Sequence, residues 1–177
     1  MSLTNFELLD LARMLKIRVV VTLQDQLVDY KADTKNGKYI INLDSLKNGG
    51  TGTHWCALAF KKNEKNGKNE CMYFDSFGAP PTQQIKAFIP KDCQFAYINH
   101  ISQAIESELC GWYSILFLSW NSRSTNKSLI ESSNEFSNLF SENADFNAGR
   151  VRSYTRMWLP NLPKRLFDIL HEKIIYT

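Results

Sequence analysis

Apolar side chains recur along this chain in distinct rhythms, and each rhythm predicts a different element. Between residues 4 and 16, Phe6, Leu8, Leu9, Leu11, Met14 and Leu15 fall at helical spacing behind Thr4 or Asn5, either of which can cap the first turn. Short β-branched or aromatic runs predict strands over residues 18–23, 38–43, 53–60, 70–77 and 94–99. The charged stretch 61–69 joins two of them as a β-hairpin with a long, solvated tip. Residues 82–89 predict a short helix that stops before Pro90. From Leu109 to Trp120 nearly every position is apolar, which suits a helix threaded through the middle of a domain better than one lying on its surface. Residues 121–147 turn rich in Ser and Asn, with a weak amphipathic segment around Leu129, Ile130, Phe136, Leu139 and Phe140. This reads as a surface helix or insertion, held less firmly than the rest. Residues 162–175, opened by Pro163, carry Leu166, Ile169, Leu170 and Ile174 as the inner stripe of a closing helix. No repeat and no linker divides the chain, so residues 1–177 read as one domain.

Composition adds bounds to this outline. A length of 177 residues can bury a core without staples. The cysteines Cys56, Cys71, Cys93 and Cys110 are too widely spaced for a zinc knuckle, so no metal site is expected. The first residues lack a basic segment followed by an apolar core, and no stretch is long enough to cross a bilayer. A reducing intracellular setting, free thiols, no membrane and a monomer are therefore the expectation. A net charge of +3 is compatible with weak nucleic-acid contact without demanding it. The Gly49-Gly50-Thr51-Gly52 stretch lacks the Lys-Ser or Lys-Thr ending of a phosphate-binding loop and reads as a turn or a substrate-facing edge.

Chemistry enters with Cys110, in the first turn of the apolar helix, where the helix dipole favours an anion and so a nucleophilic thiolate. Taken alone it reads more readily as a small buried hydrophobe. Gly111 beside it removes a side chain where a substrate backbone has to approach. A cysteine nucleophile needs a base, and a third group usually orients that base. Of the three histidines, His171 falls within the closing helix and His100 at a strand end. His54 starts a strand beside Trp55, on rigid support open to a cleft, and is the preferred base. Asp75 is the acidic residue inside the following apolar strand, which the hairpin brings alongside, and a partner such as His54 would account for a carboxylate among aromatics. The other reading of Asp75 is a turn former before Gly78. Oxyanion donors would be the Cys110 backbone N–H and the side-chain amide of Gln103, with Glu106 and Glu108 facing solvent.

The ordered set His54-Trp55, Asp75 within Tyr-Phe-Asp-Ser-Phe-Gly, Gln103 and Cys110-Gly111 resembles the cysteine proteases typified by adenain and by the SUMO-deconjugating enzymes. The seven-residue step from Gln103 to Cys110 is similar to adenain, and the aspartate is similar to the SUMO proteases. The resemblance covers about residues 50–118. It implies an α+β, papain-like fold in which a central helix carrying Cys110 packs on a mixed or antiparallel sheet carrying His54 and Asp75. It implies a thiol endopeptidase cutting at Gly-containing sites, with Trp55 lining the substrate beside Gly52 and Gly111, which the residues themselves place there. Trp55 is either the cover of a narrow tunnel or a flank shielding the His54 hydrogen bond. Small size and fifteen asparagines look more like a capsid-maturation protease of a virophage or large DNA virus than a cellular deconjugase. The implied substrates are capsid or minor virion precursors, and the implied locations are the virion and the host cytoplasm. No cofactor is expected; stimulation by DNA or a viral peptide stays open. A deconjugase for ubiquitin or a related modifier, and a non-catalytic binding protein that keeps the fold, are the competing expectations.

Overall fold

The computed structural model describes residues 2–45 and 54–171. Helix α1 (Asn5–Met14) opens the chain, and Thr4 is its cap: its hydroxyl accepts from the Glu7 N–H while the Glu7 carboxylate accepts from the Thr4 N–H at 2.8 Å. Strands β1 (Val20–Leu23), β2 (Lys38–Asn42), β3 (Trp55–Lys62), β4 (Asn69–Phe74) and β5 (Gln94–Ile98) form one sheet in the order β1-β2-β3-β4-β5. The two outer pairings are parallel and the two inner ones antiparallel. A 3₁₀ segment (Gln24–Asp29) and helix α2 (Gln83–Phe88) lie on one side. Helices α3 (Cys110–Arg123), α4 (Leu129–Ser137), α5 (Ala144–Trp158) and α6 (Lys164–His171) belong to the other. The class is α+β, with the apolar helix packed on a mixed sheet.

The sheet is covered on both faces, so its central strand is apolar at nearly every position rather than alternating. From β3, Trp55, Ala57 and Ala59 enter the larger core with α1 and α3. Cys56, Leu58 and Phe60 enter the smaller one with Leu27, Tyr39 and Ile85. Helix α3 is the centre of the larger core: Trp112, Tyr113, Ile115, Leu116, Phe117 and Leu118 are all buried. Phe117 stacks on Phe74 at 5.0 Å between centroids, and Phe136 meets both rings edge-on.

Over 121–147, where a surface helix or insertion is expected, a helix does form, but it is not superficial. That stretch holds α4, whose Leu129 and Phe136 are core residues, and its polar side chains form an interior network. Asn121 donates to the Phe117 carbonyl and accepts from the hydroxyls of Ser132 and Ser133. Wholly buried Asn147 donates to the carbonyls of Ser102 and Ser141. Buried Glu70 accepts from the Leu129 N–H at 2.6 Å, a carboxylate at the positive end of α4, and from Asn63 at 2.8 Å. Helix α5 has no counterpart among the expected elements because Asn147 and Thr155 stand with Val151 on its inner face, leaving little apolar stripe to read.

Candidate active site

The site is assembled from the ends of β3, β4 and α3. His54 is the residue before β3, and its carbonyl accepts from the Leu43 N–H, so the backbone is held in the sheet's register just beyond the last formal pair. Continuing the β3–β4 register places Phe77 opposite His54 and Asp75 one diagonal step away on the same face. Both contacts form: the rings of His54 and Phe77 stack at 4.6 Å, and His54 Nε2 meets Asp75 Oδ1 at 2.8 Å.

Asp75 is not inside the strand, as the sequence suggested, but is the first residue past β4. There it does two jobs. Its carbonyl accepts from the Gly78 N–H and its Oδ1 from the Phe77 N–H, each at 2.9 or 2.8 Å, closing a turn that Gly78 completes at φ 70°. The turn-former reading and the histidine-partner reading therefore describe the same carboxylate. A 3.5 Å contact from the Tyr73 hydroxyl reaches its other oxygen. Almost wholly buried, the carboxylate is held by three donors rather than by water.

The Cys110 side chain lies beside the same imidazole and acts on its charge. Burial of the ring acts to lower its pKa, but the hydrogen bonds and charges of Asp75 and Cys110 outweigh burial and push it up to about 9. At neutral pH the ring is an imidazolium, the counter-ion that a neighbouring thiolate requires. Burial pushes the Cys56, Cys71 and Cys93 thiols up, away from ionisation. All four cysteines are free.

Gln103 sits on the loop entering α3, buried, with its N–H and that of Ser102 bonded to the Ser76 carbonyl. Its Oε1 accepts from the Ser76 hydroxyl at 2.8 Å and its Nε2 donates to the Ser107 carbonyl. Leu109 caps α3 without a side-chain bond, so Cys110 and its neighbours present the N–H groups that a first turn leaves unpaired within the helix. Glu106 and Glu108 are exposed.

Trp55 is buried and its indole N–H donates to the Leu3 carbonyl at 2.8 Å. A Cβ on Gly111 would lie 3.2 Å from Leu3 and 3.4 Å from Trp55, so the fit of these two side chains against α3 already accounts for a glycine there. Gly52, the third expected substrate contact, lies outside the described residues, as do Gly49, Gly50 and Thr51. His171 is remote in its contacts: it stacks on Phe167 and meets Arg156. Phe77 and Ser76 were not singled out from the sequence, although both lie in the Tyr-Phe-Asp-Ser-Phe-Gly run. The signal that finds them is the hairpin register. Among the described residues, no group of three His, Cys, Asp or Glu is placed to hold a metal ion, and no helix is long and apolar enough to cross a membrane.

No family model matches the sequence, and no curated protein matches it. Solved structures with a related backbone course include AvrA delL154 with IP6 and CoA, at 14% identity and TM-score 0.48, over 93% of this chain and 66% of that one. The ASFV pS273R protease matches at 21% identity and TM-score 0.39, over 62% of this chain and 45% of the other. A de-sumoylating protease matches at 14% and 0.46, over 94% and 74%. The chain thus spans less than two thirds of the length of the first two. These are likenesses of fold alone, and the chemistry rests on the contacts made by His54, Asp75, Cys110 and Gln103.

Proposed function

We propose that this chain is a cysteine endopeptidase with Cys110 as nucleophile, His54 as acid and base, Asp75 as the group that orients His54, and Gln103 with the Cys110 N–H as oxyanion donors. The supporting observation is His54 itself: an imidazole fixed on one nitrogen by Asp75, stacked on Phe77, and raised in pKa by Asp75 and the neighbouring Cys110 together. A packing histidine has no need of both polar partners. In the reaction the Cys110 sulfur adds to a peptide carbonyl, forming the S–C bond while the carbonyl pair moves to oxygen. The donors hold that oxyanion. The His54 imidazolium gives its proton to the leaving nitrogen as the C–N bond breaks, leaving a thioester and a neutral ring. That ring then takes a proton from water, whose oxygen displaces the sulfur.

The substrate reading follows the resemblance to adenain: cleavage at Gly-containing sites in capsid or minor virion precursors, in the virion and the host cytoplasm. Incubation of the protein with candidate virion polypeptides, followed by mass spectrometry of new termini, tests activity and specificity together. The expected result is new termini at Gly-containing sites, absent with Cys110→Ala and with His54→Ala. Undiminished cleavage by Cys110→Ala sinks the mechanism. Covalent capture by ubiquitin or SUMO bearing a reactive carboxy terminus, without cleavage of virion polypeptides, would move the assignment to a deconjugase.

A further inference from the structure

Building on the oxyanion role proposed for Gln103, we infer that Ser76 is a positioning residue that holds the Gln103 amide by its Oε1, with the N–H side available to the oxyanion. An amide has two faces of nearly equal shape, one that donates and one that accepts, and only the donating face can stabilise an oxyanion. One neighbour decides which way this one is turned, and a second, the Ser76 hydroxyl, which can donate or accept, then fixes its place. The Ser107 carbonyl only accepts, so the atom beside it must be Nε2. On the other side the Ser76 hydroxyl donates to Oε1 at 2.8 Å. Flipping the amide would set Oε1 against the Ser107 carbonyl with no proton between them and remove a donor from Oε1. In the observed orientation one Nε2 hydrogen is used by Ser107 and the second has no partner among the described residues.

The frame around this amide is tied to both halves of the site. Ser76 follows Asp75 directly, and its carbonyl accepts from the N–H groups of Ser102 and Gln103, so the turn that aims Asp75 at His54 also anchors the Gln103 loop. The Ser107 hydroxyl accepts from the Leu109 N–H, one residue before the nucleophile. Ser76 is almost wholly buried and spends its hydroxyl on Gln103, which a turn serine without a task has no reason to do.

The test compares two reagents for the same sulfur. A peptide ending in glycinal adds to Cys110 reversibly: the S–C bond forms and the aldehyde π pair moves to an oxygen placed where the oxyanion forms. Iodoacetamide alkylates the sulfur with loss of iodide and creates no such oxygen. Ser76→Ala should weaken glycinal binding about tenfold, as loss of one buried hydrogen bond predicts, and leave the iodoacetamide rate at Cys110 within about twofold. Added to Gln103→Ala, the same change should have no further effect. Ser76→Thr, which keeps the hydroxyl, should bind glycinal like the unaltered protein. If Ser76→Ala does not fold, Ser76→Cys, of similar shape with a weak donor, carries the same comparison. Unchanged glycinal affinity in Ser76→Ala, or a full additional loss on top of Gln103→Ala, overturns the inference and leaves the nucleophile standing. An unaltered protein whose Cys110 reacts with neither reagent overturns the protease reading as well.

Discussion

Replacing Asp75 by asparagine removes one charge and little else. The amide oxygen can still accept from His54 Nε2 and from the Phe77 N–H, and the nitrogen takes the place of the oxygen that faces Tyr73. What is lost is the charge, which together with its hydrogen bond and the Cys110 contact lifts the ring to about 9 against the burial that works to lower it. Without it the His54 pKa should fall back toward 6.5. If it falls that far, the protonated fraction at pH 8 drops about thirtyfold, whereas at pH 6 it changes by less than about twofold. The direct assay is an NMR titration of the three imidazoles, with His54 assigned by its loss in His54→Ala. In the unaltered protein His54 should hold its proton until pH approaches 9. The corresponding stability effect has a definite sign: because the folded pKa is raised, His54 stabilises the fold fully below about pH 6.5 and loses that contribution as pH rises through 9. The ring is only 11% exposed, so solvent screening is small, and the upper bound is roughly 3 kcal/mol. A His54 that titrates near 6.5 in the unaltered protein, or does not move in Asp75→Asn, refutes the electrostatic account of the site.

Three further outcomes test other parts of the structure. Phe136→Ala opens a hole between Phe74, Phe117 and Phe140 and should cost about 3–5 kcal/mol in urea unfolding; a cost under about 1 kcal/mol would mean α4 is not part of the core. Glu70→Ala leaves the Leu129 N–H and the Asn63 amide without their buried acceptor and should cost about 1.5–3 kcal/mol by the same measurement, with no change in Cys110 alkylation. Gly78→Ala forces a side chain into a left-handed turn and puts its Cβ 2.9 Å from the Asn99 carbonyl oxygen. It should lower the melting temperature and, by displacing Asp75, also lower the His54 pKa seen by NMR. A Gly78→Ala protein with an unmoved His54 titration would separate the turn from the site.

The sequence made the sheet and the central helix legible because burial on both faces leaves a composition that little else produces: β3 and α3 are apolar nearly throughout. The pair His54 and Asp75 could be read from hairpin logic, since two strands joined by a tip must run side by side. The exact footing of Asp75 could not, because strand and turn share its residues and one side chain serves both. The stretch from Asn121 to Asn147 showed its helix but hid its burial, for a different reason. Its serines and asparagines satisfy one another and nearby carbonyls inside the protein, and a polar residue that bonds inward looks the same in a sequence as one that faces water. Gly111 was legible as a place where no side chain fits, yet the crowding comes from Leu3 and Trp55 within the chain.

Helix α3 runs 14 residues from Cys110 to Arg123, an arm of about 20 Å at the usual rise. Its far end is moored by Asn121 to Ser132 and Ser133, by Trp120 to the Ser132 carbonyl and by Lys61 to the Ser124 carbonyl. On an arm of that length, a swing of only about 3° carries the sulfur about 1 Å along its arc, enough to spoil an in-line approach. The mooring at the distal joint therefore sets the aim of the proposed nucleophile, and slack introduced there should be felt at the opposite end of the helix, with no residue of the site itself altered.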